Sequence, residues 1–201
     1  MTAGVGTVAI IPAVMTLRAL LSTLVRSITL WRRRTPCERL LERLATFRTP
    51  RLAVELVPAT SWGANLRSVL PQADWDRLRK RAYRAAGYRC EICRERGPAH
   101  PVECHELWEY DDSKGIQLLV GLIALCPGCH AVKHLGRSYA EGDGDAAFAR
   151  LMRLNAWSAA VAKAYVDVVF EIWEIRSQTQ WRLDLCWLAT HGVPQPDCTM
   201  R

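Results

Sequence analysis

The sequence predicts an α+β protein in which helices stand before and after a short, cysteine-rich region of strand. Three observations lead there. Two CxxC pairs, "CEIC" at 90–93 and "CPGC" at 126–129, lie 32 residues apart. Between them "PVECHELWEY" reads as a strand. On either side, apolar residues recur at helical spacing.

The elements follow in order. Residues 1–35 read as a basic extension, and no Asp or Glu precedes Glu38. Arg18 and Arg26 interrupt its apolar stretch, which argues against a membrane span. "WRRR" follows the apolar run, whereas a signal peptide places its charges first. A disordered or loosely helical extension is the favoured reading. An organellar transit peptide and a start at Met15 or later are the alternatives. The remaining chain is expected in the cytoplasm of a bacterial-type cell.

Residues 36–87 open with "CERLLERLATF", a helix by its spacing of Leu40, Leu41, Leu44 and Phe47, closed by Pro50. "RLAVELVP" alternates like a short strand. "PQADWDRLRKRAYRAAG" is a helix with Asp74 as N-cap and Gly87 as stop. Residues 88–140 hold both cysteine pairs and all the metal-ligand candidates. A loop at "SYAEGDGD" (138–145) leads into residues 141–190, which hold helices at "AAFARLMRLN" and "SAAVAKAYVDVVFEIWEIRS". The second helix carries a core stripe of Val161, Tyr165, Val168, Val169 and Ile172. Its acidic end (Asp167, Glu171, Glu174) argues against a DNA-reading helix pair. "WRLDLCWL" reads as a short strand returning to "RLAVELV", and 191–201 as a disordered tail.

With 201 residues and 50% apolar content, the chain can bury one substantial core. Its formal charge of +7 suits a polyanionic partner and equally an ordinary basic protein. Of the eight cysteines, Cys90, Cys93, Cys126 and Cys129 are paired as two knuckles. Two such turns supply four thiolates, the donor set of a closed, structural Zn(II) site. The competing dithiol redox reading wants its CxxC after a strand in a βαβ setting, which neither pair has. His130 and His134, four apart, share one face if "HAVKH" is helical. With His105 from the strand they form a candidate divalent-metal site with open positions.

A basic run leads into the first knuckle. Arg77, Arg79, Lys80, Arg81, Arg84 and Arg89 are the candidate phosphate contacts, together with Lys133; the alternative is a solvated helix face.

"YRCEIC … PVECHELW … GLIALCPGCHAVKH" resembles the HNH endonuclease family in its zinc-ribbon form. The resemblance covers roughly residues 88 to 136. It implies a ββα-metal (His-Me finger) core, a hairpin and a helix around one catalytic ion, beside a four-cysteine zinc ribbon. It places His105, His130 and His134 on that ion and Glu106 at the general base. In a register shifted by one, His105 is the base and Cys104 the ligand. The implied cofactors are structural Zn(II) and a catalytic Mg(II), Mn(II), Ni(II) or Zn(II). The implied activity is metal-dependent hydrolysis of DNA phosphodiester bonds. Two departures, Glu106 where the family has His and Gly121 where it has Asn, motivate an alternative. This is a catalytically inactive, zinc-stabilised nucleic-acid-binding module. A zinc-dependent protein-interaction domain, suited by the eight tryptophans, is a further one.

Overall fold

A computed structural model describes residues 34–193. The expectations for residues 1–33 and for most of the tail lie outside the described residues.

The first helix among the described residues, α1 (Pro36–Ala45), starts where Thr35 and Glu38 form a reciprocal capping box and Pro36 takes the first turn. The short α2 (Leu66–Val69) is capped the same way by Asn65 and Ser68. In α3 (Gln72–Ala85), Pro71 occupies the N-cap rather than Asp74. Asp74 lies in the first turn and pairs with Arg77 at 2.9 Å, where a carboxylate also meets the positive end of the helix. Gly87 ends the helix as expected, with φ +62°.

Strands β1 (Glu103–Asp111) and β2 (Ile116–Leu125) form an antiparallel hairpin. The register shifts between Leu107 and Trp108, which pair with Gly121 and Leu119 respectively. Val120 is thereby the extra residue of a bulge, and it is exposed. The chain passes directly from β2 into α4 (Pro127–Lys133), with Cys126 at the N-cap and Pro127 at the first helical position. His134 breaks the helix geometry, and α5 (Leu135–Glu141) follows at once. "SYAE" is therefore helical rather than loop, and only Gly142 and Asp143 turn the chain. Gly142 does so with φ +92°. Helices α6 (Gly144–Asn155) and α7 (Ala159–Arg176) are joined through Ala156 in the left-handed region.

Among the described residues the sheet has three strands in the order β1-β2-β3, and β3 (Arg182–Asp184) pairs in parallel with β2. Two expectations are corrected here. β3 does not return to "RLAVELV", and residues 51–58 form no strand. Their backbone groups are satisfied elsewhere. Leu52 N–H donates to Asn155 Oδ1 (3.2 Å), Val54 N–H to the Tyr165 hydroxyl (3.2 Å), and Glu55 N–H to the Lys133 carbonyl (3.0 Å). A segment whose donors are met by helices has nothing left to offer a ladder.

The hairpin is covered on both faces. One face packs against the main core, in which Leu52, Val54, Leu125, Val132, Leu151 and Tyr165 surround the cysteine knuckles. The other meets Leu66, Trp75, Leu78 and Leu188. The stripe on α7 is buried at Tyr165, Val168, Val169 and Ile172, while Val161 is exposed and Ala162 and Val166 take its share of the core. The molecule is thus mixed α+β with a small sheet. Among the described residues, no helix is long and apolar enough to cross a membrane.

Candidate metal centres

The first knuckle is a tight loop. Cys90 N–H donates to the Glu95 carbonyl (2.9 Å), Arg94 N–H to the Cys90 carbonyl (2.8 Å), and Glu91 N–H ties the loop to Ala124 of β2 (2.9 Å). Arg94 turns it with φ +68°. The second knuckle is the β2–α4 junction. Together they bring Cys90, Cys93, Cys126 and Cys129 into one group whose sulfurs all lie within 4.8 Å of one another. Cys90, Cys126 and Cys129 are buried, and Cys93 is the partly exposed corner. The Cys93–Cys126 sulfurs are 3.6 Å apart. A tetrahedral Zn(II) with Zn–S bonds of about 2.3 Å has S–S edges of about 3.8 Å. The spacing and the donor set fit such an ion, as the cysteine spacing predicts.

Above the hairpin, His105 of β1, His130 of α4 and His134 at the α4 end form a second group, also within 4.8 Å. Their rings meet edge to face, with centroids 4.7 to 5.2 Å apart. His130 Nε2 and His134 Nε2 are 3.2 Å apart. Two imidazoles on one tetrahedral Zn(II), with Zn–N bonds of about 2.0 Å, stand about 3.3 Å apart. Burial, with the neighbouring imidazoles, pushes His134 down to about 3, and burial also lowers His130. Both rings are neutral at pH 7, so a lone pair is available to a metal.

Two carboxylates hold the rings from behind. His130 Nδ1 donates to Glu103 Oε2 at 2.5 Å, which leaves Nε2 as its lone-pair nitrogen. His105 Nε2 donates to Glu55 Oε2 at 2.7 Å, which leaves Nδ1. Burial raises Glu103, but hydrogen bonds from His100 and His130 outweigh it and keep the group below its ordinary range. Glu55 has the same balance: burial raises it, and His105 and Lys133 bring it down. Both are therefore ionised acceptors, the arrangement that fixes tautomer and ring orientation in histidine metal sites.

The residues expected at the site divide accordingly. The four cysteines and the three histidines come together. Glu106 does not join them. Neighbouring residues on a strand face opposite ways, and Glu106 Oε1 accepts from Leu66 N–H at 2.8 Å, on the other face of the hairpin. Burial there pushes its carboxyl up to about 7. Lys133 is also corrected. It is 5% exposed and its Nζ donates to Glu55 Oε1 at 3.0 Å, so it is not a surface phosphate contact.

Of the basic run, Arg77 is held by Asp74 and the Gly192 carbonyl (both 2.9 Å), Arg79 by Asp76 (2.7 Å), and Lys80 lies 3.8 Å from Asp76. Arg89 donates to the Arg94 carbonyl at 3.2 Å. Arg81 and Arg84 lie on α3, Arg84 exposed and Arg81 at the exposed start of its last turns. Gly121 pairs with Leu107, and a Cβ there would meet Leu107 Cδ1 at an ordinary 3.6 Å, so packing does not demand glycine.

Sequence reading missed Glu55 and Glu103. Glu103 had a signal: it lies two residues before His105 and hence on its face of β1. Glu55 had only the oddity of an acid inside an apolar run.

Comparison of the chain with protein-family models, with curated proteins and with solved structures finds no match.

Proposed function

We propose that the protein is a metal-dependent endonuclease of HNH type, hydrolysing phosphodiester bonds in DNA, with Zn(II) in the four-cysteine site as a structural element. The observation that carries this reading is the convergence of His105, His130 and His134 from a hairpin and the helix that follows it. The ββα-metal core has that order of elements. A divalent cation held there supplies a Lewis acid for a phosphate oxygen and an acidified water. The chain's own part is to present three imidazoles, two of them oriented by Glu55 and Glu103. Three imidazoles favour Zn(II) or Ni(II) over Mg(II) and Mn(II), which prefer oxygen donors. Arg81 and Arg84 are the cations of α3 best placed for the phosphate backbone.

One observation favours a second reading, a nucleic-acid-binding module without cleavage. Glu106, the residue in the general-base position of the resemblance, is turned away and engaged with Leu66. Purified protein incubated with supercoiled plasmid and each divalent ion separates the two. Nicking that requires the ion and disappears in His134→Ala supports the nuclease. A mobility shift without nicking under any ion supports the module, and neither result would sink both.

A further inference from the structure

The four-cysteine site has a fifth participant, Arg150 of α6. Its Nη1 lies 3.5 Å from Cys129 Sγ, 3.7 Å from Cys93 Sγ and 3.7 Å from Cys126 Sγ. One guanidinium nitrogen thus sits over the face of the sulfur cluster that includes Cys93, the partly exposed corner. From the outside, Glu95 Oε2 holds the same nitrogen at 3.1 Å. We propose that Arg150 is the counter-charge and cover of the zinc site, and that it sets how tightly and how slowly the site exchanges its metal. This rests on the reading that the four cysteines hold Zn(II).

The electrostatic argument is direct. Four thiolates around a divalent ion leave a double negative charge. Three of those sulfurs are buried, and an uncompensated buried charge is expensive. Arg is permanently protonated and less strongly hydrated than Lys, so it can approach sulfur at low desolvation cost. Hydrogen bonds to the sulfurs also withdraw charge from them and make them poorer targets for protons or competing ligands. Placement over the exposed corner blocks the side from which a chelator would arrive.

A second observation is independent of charge. The central glycine of the second knuckle, Gly128, lies in α4 and is absent from the residues of positive φ. Backbone conformation does not require glycine there. Space does: a Cβ on residue 128 would lie 2.6 Å from Arg150 Nε and 2.9 Å from its Cζ. The guanidinium fills the volume a side chain would take. An alanine at 128 would move the flexible end of Arg150 while leaving the cysteines in place.

The test is zinc transfer from the purified full chain to a chromophoric chelator, followed as a rate and as a competition affinity. Loss of a group that supports metal ligands costs about 10- to 100-fold in affinity. Arg150→Gln is expected to fall in that range and to release zinc at least about 10-fold faster. Gly128→Ala should reproduce the effect, and the double variant should be no worse than Arg150→Gln alone, because both remove the same interaction. Arg150→Lys keeps charge but not the fork, and should fall between. Arg51→Gln is the control: Arg51 donates to the Ile92 carbonyl of the first knuckle (2.6 Å from Nη2) and touches no sulfur. It should leave exchange near the wild-type rate. Wild-type exchange in both Arg150→Gln and Gly128→Ala overturns the proposal. So does an Arg51→Gln as fast as Arg150→Gln, which would mean only that the knuckle had loosened. Wild-type protein that contains no zinc removes the zinc reading itself, and with it this inference.

Discussion

The two candidate metal centres share one helix start and differ in almost every other respect. The cysteine centre closes on itself: its four ligands use up a tetrahedron, three are buried, and it sits inside the main core. The histidine group offers three ring nitrogens, one short of a closed tetrahedron, and carboxylates from two segments hydrogen-bond two of its rings. A closed, buried site contributes to folding; an open one with fixed ligands suits chemistry. The "LCPGCHAVKH" stretch serves both, its cysteines facing the core and its histidines facing the hairpin.

The largest expected effect lies on the closed side. Cys90→Ser should lose zinc and with it much of the fold, since structural Zn(II) contributes about 10 kcal/mol or more to small domains. Metal analysis and circular dichroism read both losses. Retention of one zinc and of native ellipticity would break the contrast.

On the open side, His134→Ala should keep that zinc and the fold while losing a second ion and all cleavage. Glu55→Gln should bind the second ion about 10- to 100-fold more weakly. The visible absorption of Co(II) loaded into the histidine site should shift, because His105 loses its ionised partner. An unchanged spectrum and affinity would make Glu55 a packing residue only.

Glu106 sharpens the comparison from the opposite face of the hairpin. Its carboxyl is raised from an ordinary 4.5 to about 7 by burial. The folded protein therefore holds a proton that the unfolded chain gives up. Its contribution is most favourable below about pH 4.5 and is lost as pH rises to about 7. At about 1.4 kcal/mol per unit, the penalty above pH 7 is about 3 kcal/mol. Glu106→Gln keeps an oxygen for Leu66 N–H and removes the charge. It should raise stability at pH 8 by up to about that amount, flatten the pH dependence between about 4.5 and 7, and leave cleavage intact. Urea titrations across that range, with the nicking assay, check both. Abolished cleavage in a stable variant would return Glu106 to the chemistry.

The smallest effect concerns α3. Replacing Arg81 and Arg84 should weaken DNA binding alike for all sequences. The salt dependence should flatten by about 0.9 log units for each phosphate no longer neutralised. Arg77→Ala alone should do less, because Asp74 and the Gly192 carbonyl already hold that guanidinium. An unchanged slope in the double variant would identify the run as a solvated face.

Much of this was legible in the chain. The knuckles are, because ligand spacing of two residues is a local property. The helices α1, α3, α6 and α7 are, because their apolar periodicity and stops are local too. His130 and His134 declare a shared face by being four apart. Strand alternation also implies the opposite facing of His105 and Glu106, although the resemblance set both at one site.

Tertiary structure decided the rest. "RLAVELV" has the alternation of a strand, yet Asn155, Tyr165 and the Lys133 carbonyl took its hydrogen bonds. "SYAE" has loop composition at its end, yet α5 runs through it to Glu141. Lys133 reads from the sequence as a candidate phosphate contact, yet Glu55, 78 residues away, meets it as an ion pair in the interior. Arg150 is one arginine among many until folding lays it across three sulfurs. In each case the deciding partner is distant in sequence. Periodicity and ligand spacing report only what a residue does with its near neighbours, and burial of a charge or a backbone donor depends on which distant group arrives to satisfy it.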